Sequence, residues 1–68
     1  MSTKGAYDFA AGERKYRQMT IADLQWNARD AKEAREAMRG HDPIAENWYA
    51  DDLSTILKEL RKRMRLPA

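Results

Sequence analysis

The sequence predicts an all-α fold: an antiparallel helical hairpin, with arms at about 21–39 and 43–65 and a short N-terminal docked segment, that assembles into an oligomeric helical bundle. Three observations predict it. Apolar residues recur at three- and four-residue spacing through both arms. A helix stop and a helix start stand back to back in Arg39-Gly40-His41-Asp42-Pro43. Upstream, Met19-Thr20-Ile21-Ala22-Asp23-Leu24 carries the start signal of the first arm.

Residues 1–18 are the N-terminal arm of this reading, and 19–66 are the hairpin. Gly5 and Gly12 argue against one continuous helix in the arm, while Tyr7 and Phe9 argue against a purely solvated tail. A flexible start followed by a short docked turn or helix from about Ala6 is expected. Its aromatics cover one end of the hairpin in the same chain or dock on a neighbouring subunit, and the sequence leaves both open.

In the first arm Thr20 is the N-cap, Asp23 stands at the third helical position, and Met19 and Leu24 occupy the two positions of a hydrophobic staple. The helix then runs to about Arg39, roughly 28 Å at 1.5 Å per residue. Ile21, Leu24, Ala28, Ala31 and Met38 form its seam, interrupted by Arg35 and widened by Ala34. Arg29–Glu33 and Lys32–Glu36 stand at i, i+4 on the solvated face. Trp26 falls roughly 160° around the helix from Leu24 and needs a second surface: the N-terminal arm, another subunit or a ligand.

Gly40 suits the left-handed position just past a helix end, and Arg39 suits the negative pole of the helix dipole. Asp42 is the N-cap of the second arm, and Pro43 at its first position gives up only an N–H that would be unpaired anyway. Ala45, Tyr49, Leu53, Ile56, Leu57, Leu60 and Met64 then make one wide stripe, extended by Ile44 and Trp48. A seam of alanines cannot cover so wide a stripe, whereas two hairpins back to back can. The oligomer interface is therefore expected at Trp26, Trp48, Tyr49, Leu53, Ile56, Leu57, Leu60 and Met64. Ser54 and Thr55 are expected to face water, and the helix to stop before Pro67.

A chain of 68 residues with no cysteine and one histidine has neither a disulfide framework nor a thiolate metal site. Oligomerisation is the remaining way for it to bury enough apolar surface. No apolar run approaches the roughly 18 residues of a membrane span, and the N-terminus lacks the layout of a signal peptide. A soluble, cytosolic protein is expected. The net charge of +2 is unevenly placed: Glu46, Asp51 and Asp52 precede Lys58, Arg61, Lys62, Arg63 and Arg65, an order that complements a helix dipole.

No phosphate loop, no Ser/His/Asp or Cys/His set and no carboxylate pair placed to share a proton occurs. Asp51 and Asp52 are adjacent and point about 100° apart on a helix. His41 reads as a turn residue. The expectation is no enzyme, no cofactor and no metal. The basic residues of 58–65 form a collar around the helix more than a reading face, so nucleic-acid binding by the basic C-terminal helix end is the alternative function.

Tyr16-Arg17-Gln18-Met19-Thr20-Ile21-Ala22-Asp23 resembles the Tyr-Arg-x-Leu-Thr-x-x-acid opening of the small helical-hairpin proteins by which phages sequester cyclic oligonucleotide immune signals. The second arm, opening with Asp42-Pro43 and Trp48 and closing on basic residues and Pro67, has a similar layout. More broadly the chain resembles short, charged helical proteins of phages and prophages. The resemblance implies a symmetric oligomer that holds its ligand between subunits, with Tyr16 stacking and Thr20 in the same opening turn. The family's phosphate-contacting lysine falls at Ala31 here, and Lys32 lies one residue away on another face. Together with the basic collar, this points to Tyr16, Arg17, Thr20, Arg61 and Arg65 as ligand-binding residues. The function expected is that of a non-enzymatic inhibitor or sequestering module. It would act as a homo-oligomer on a host defence protein or a small anionic nucleotide.

Overall fold

The computed structural model describes residues 6–64, and these form three α-helices and no strand: α1 (Phe9–Arg17), α2 (Ile21–Met38) and α3 (Pro43–Met64). α2 ends one residue short of the expected Arg39, within the usual fraying of a helix terminus, and α3 is helical up to Met64, the last described residue. Arg65 and the stop before Pro67 lie outside the described residues.

α1 starts on Asp8, whose carboxylate accepts from the Ala11 N–H at 3.0 Å. Gly12, read from the sequence as a break, is inside this helix and buried. The reason is a close approach and not a bend: a Cβ there would stand 2.2 Å from the Tyr7 hydroxyl. α2 starts as expected, with the Thr20 hydroxyl accepting from the Asp23 N–H at 3.1 Å. Of the two members of its staple, Leu24 belongs to the core cluster and Met19 packs against it.

The turn at 39–42 also follows its sequence signals. Gly40 has φ of +80°, and the Met38 carbonyl accepts from the N–H groups of both His41 and Asp42 at 3.0 Å. The Asp42 carboxylate accepts from the Ala45 N–H at 3.1 Å, which starts α3. Arg39 and Glu46 pair across the turn at 3.6 Å.

α3 is the central element, since α2 packs along one flank of it and α1 along another. Tyr16, Leu24, Ala31, Ile56 and Leu60 form the buried cluster, with Met19, Ala28 and Leu53 packed against it. Each helix contributes to this one core, and the N-terminal arm enters it through Tyr16 of α1. α1 also changes the environment of Thr55, which was expected to face water. It is buried and its hydroxyl donates to the Asp51 carbonyl at 2.9 Å, while Ser54 stays exposed.

The molecule is a slab of 46 × 21 × 15 Å with a radius of gyration of 12.8 Å. A compact chain of this length has a radius of about 11 Å. So flat a shape keeps much apolar surface at the boundary with solvent. Phe9, Ile21, Trp26, Ile44, Leu57 and Met64 are all exposed.

Candidate interaction surfaces

The polar centre of the molecule is Asp52 on α3. Its Oδ1 accepts from the hydroxyl of Tyr7 and from that of Tyr16, each at 2.7 Å. One carboxylate oxygen thereby ties both ends of α1 to the middle of α3. Burial, opposed in part by Thr55 and reinforced by Asp52, pushes the Tyr7 hydroxyl up to about 12 from 10.0. Burial and the same carboxylate raise Tyr16 further. Beside this pair the rings of Phe9, Tyr7, Trp48 and Tyr49 follow one another edge to face, with centroids 4.9, 5.0 and 5.4 Å apart.

This arrangement corrects the role given to Tyr16. The ring is 2% exposed and its hydroxyl is engaged by Asp52, so it has no free face on which a ligand could stack. Thr20 is exposed and acts as the N-cap. Arg63, grouped by sequence with the basic collar, turns inward. Its guanidinium donates to the carbonyls of Tyr16, Arg17 and Met19 and pairs with Glu59 at 2.9 Å. A cation on the last carbonyls of α1 satisfies groups that a helix end leaves unpaired, and it locks the α1–α2 link to the end of α3.

Arg17 does meet part of the collar. With Glu13, Thr55, Lys58, Glu59 and Lys62 it lines a groove of about 150 Å³ between α1 and α3, where Lys58 pairs with Glu13 at 3.3 Å. Arg61 is exposed elsewhere on α3, so the structure does not bring it to this groove. Arg65 lies outside the described residues.

The expected oligomer interface divides into three groups. Ile56 and Leu60 are core residues of a single chain, at 0% and 8% exposure. Trp48, Tyr49 and Leu53 are half-buried, Trp48 against the Tyr7 ring and Leu53 against the core cluster. Trp26, Leu57 and Met64 remain exposed, at 67%, 40% and 68%. The wide stripe of α3 is thus covered from one side by the N-terminal arm, which the sequence left free to dock on either chain. Trp26 is not covered by that arm. It stands on the outer face of α2 over a shallow depression of about 220 Å³ with Arg29, Asp30 and Glu33.

Sequence reasoning missed Tyr7 and Asp52 as a bonded pair, Thr55 as a buried residue and Arg63 as a cap. Asp52 meets Tyr7 and Tyr16 across 45 and 36 residues, and Arg63 meets its carbonyls across 44 to 47, beyond any local pattern. Among the described residues no three His, Cys, Asp or Glu side chains could hold a metal ion, and no helix is long and apolar enough to cross a membrane. No family model, no curated protein and no solved structure matches this chain.

Proposed function

We propose that this chain is a small non-enzymatic interaction module. It is a helical hairpin with a docked first helix that works as a homo-oligomer and blocks or sequesters a host component, in the manner of phage-encoded anti-defence proteins in a bacterial cytoplasm. The observation that carries this reading is Trp26. An indole 67% exposed, between an arginine and two carboxylates, lies outside the core of its own chain. Aromatic side chains of this kind, ringed by polar groups, are typical anchors of protein–protein contacts.

A protein target is favoured over a cyclic nucleotide because Tyr16, the stacking residue of the resemblance, is a core residue. The test is a pull-down from bacterial lysate with wild type and Trp26→Ala, in which retained proteins and small molecules are both identified. The wild type retains one stoichiometric protein and the variant releases it at an unchanged melting temperature. Retention by both would reject Trp26 as the anchor.

The groove of Arg17, Lys58 and Lys62 supports the second reading, binding of nucleic acid or a small anionic nucleotide. Affinity for an anion held by that groove falls steeply with salt. A nucleotide at 100 times its dissociation constant would stabilise the fold by about 2.7 kcal/mol. A melt indifferent to every nucleotide tested leaves the protein target alone.

A further inference from the structure

We infer that a second copy of this chain packs antiparallel on the exposed flank of α3, with Leu57 of each copy over Ala50 of the other and Glu46 of each beside Arg61 of the other. The inference rests on the homo-oligomeric reading above and gives it a face and a register.

The face follows from helix geometry. At about 100° per residue, Glu46, Ala50, Leu53, Leu57, Arg61 and Met64 fall on one flank of α3. Trp48, Asp52 and Thr55, on the side of α3 that faces α1, lie roughly opposite. α1 therefore cannot reach this flank, and α2 covers only its inner margin, where Leu53 meets the core. Leu57 and Met64 are left exposed. Ile21, also exposed, stands at the Met64 end, because Arg63 reaches the carbonyl of Met19.

The occupant follows from charge. The first half of α3 carries Glu46, Asp51 and Asp52, and the second half carries Lys58, Arg61, Lys62 and Arg63 against Glu59 alone. A parallel copy would set like charges together, whereas an antiparallel copy sets the acidic half against the basic half. Glu46 and Arg61 are the charged residues on this flank. Arg61 is exposed and has no ion pair among the described residues, and Glu46 is held only by the 3.6 Å contact with Arg39. A twofold axis that sets Glu46 opposite Arg61 crosses α3 between Leu53 and Ser54. In that register Leu57 faces Ala50 and Met64 faces Pro43, large over small at both places.

The test is the mass of the full chain by sedimentation equilibrium, with helix content followed by circular dichroism. The wild type is expected to be a dimer or a multiple of one, and Leu57→Asp a folded monomer. Glu46→Arg and Arg61→Glu each replace two attractive contacts with two repulsive ones and weaken association about tenfold, while the double variant regains it. An oligomer indifferent to Leu57→Asp, or one that the double variant fails to restore, overturns this face and leaves the homo-oligomer standing. A wild-type monomer at every concentration overturns both.

Discussion

The two covered flanks of α3 are built from different chemistry. Toward α2 the contact is aliphatic, with Leu24, Ala31, Ile56 and Leu60 buried together. Toward α1 it is carried by hydroxyl groups, with Tyr7 and Tyr16 both donating to Asp52. An aliphatic contact is stabilised in proportion to the area removed from water and tolerates small shifts. Two hydrogen bonds on one oxygen are directional, and they fix where α1 sits. The α2 contact is therefore set by buried area, whereas the α1 contact adds to the buried Tyr16 ring two bonds that fix its position.

The largest effect is expected at the junction of the two flanks. Ile56 is fully buried where all three helices meet, so Ile56→Ala leaves a cavity costing about 2–5 kcal/mol. Urea melts measure it, and a midpoint unchanged from wild type would place the core elsewhere.

Tyr16→Phe keeps the ring and removes one bond to the Asp52 carboxylate, a loss of about 1.5–3 kcal/mol. Hydrogen exchange should quicken in α1 more than in α2, which separates the two flanks directly. Equal acceleration in both helices would contradict the division drawn between them. Burial of the two hydroxyls, reinforced by these bonds, sets a pH dependence. A tyrosine whose folded value is raised contributes stability that is fully present below its unfolded value of 10.0 and is lost as pH rises through the folded value, about 12 for Tyr7. Stability should fall across that window, and less so in Tyr7→Phe.

Gly12→Ala should change sign with its background. The added methyl meets the Tyr7 hydroxyl at 2.2 Å and displaces it, costing about 1–3 kcal/mol. Once Tyr7→Ala has removed that obstacle, the same substitution should stabilise by up to about 1 kcal/mol through helix propensity. A thermal melt of the four proteins of this cycle reads the sign.

The smallest effect belongs to α2 alone: Thr20→Ala removes the acceptor of the Asp23 N–H and costs about 1 kcal/mol. An unchanged melting temperature would show that the cap contributes nothing.

What the sequence reveals and what it hides divides along the same two flanks. The Thr20 cap, the Gly40 turn, the Asp42-Pro43 start and the Leu24–Ala31 seam all rest on residues within four positions of their partners, so periodicity and capping chemistry find them. The placement of α1 rests on pairs more than thirty residues apart, and nothing local to Tyr16 separates a stacking ring from a core ring. Gly12 misled for the same reason, since its role is defined by Tyr7 lying on it. The stripe of α3 was read at its full width, but its split between α1, the core and the exposed flank depends on which side the arm takes.

The central claim is that the flank of α3 left open by both neighbours is covered by another copy of the chain. Light scattering at micromolar concentration, with melts recorded across a range of concentrations, tests it most directly. A mass of two chains or more and a melting temperature that rises with concentration are expected. A monomer mass together with a concentration-independent melt would contradict it.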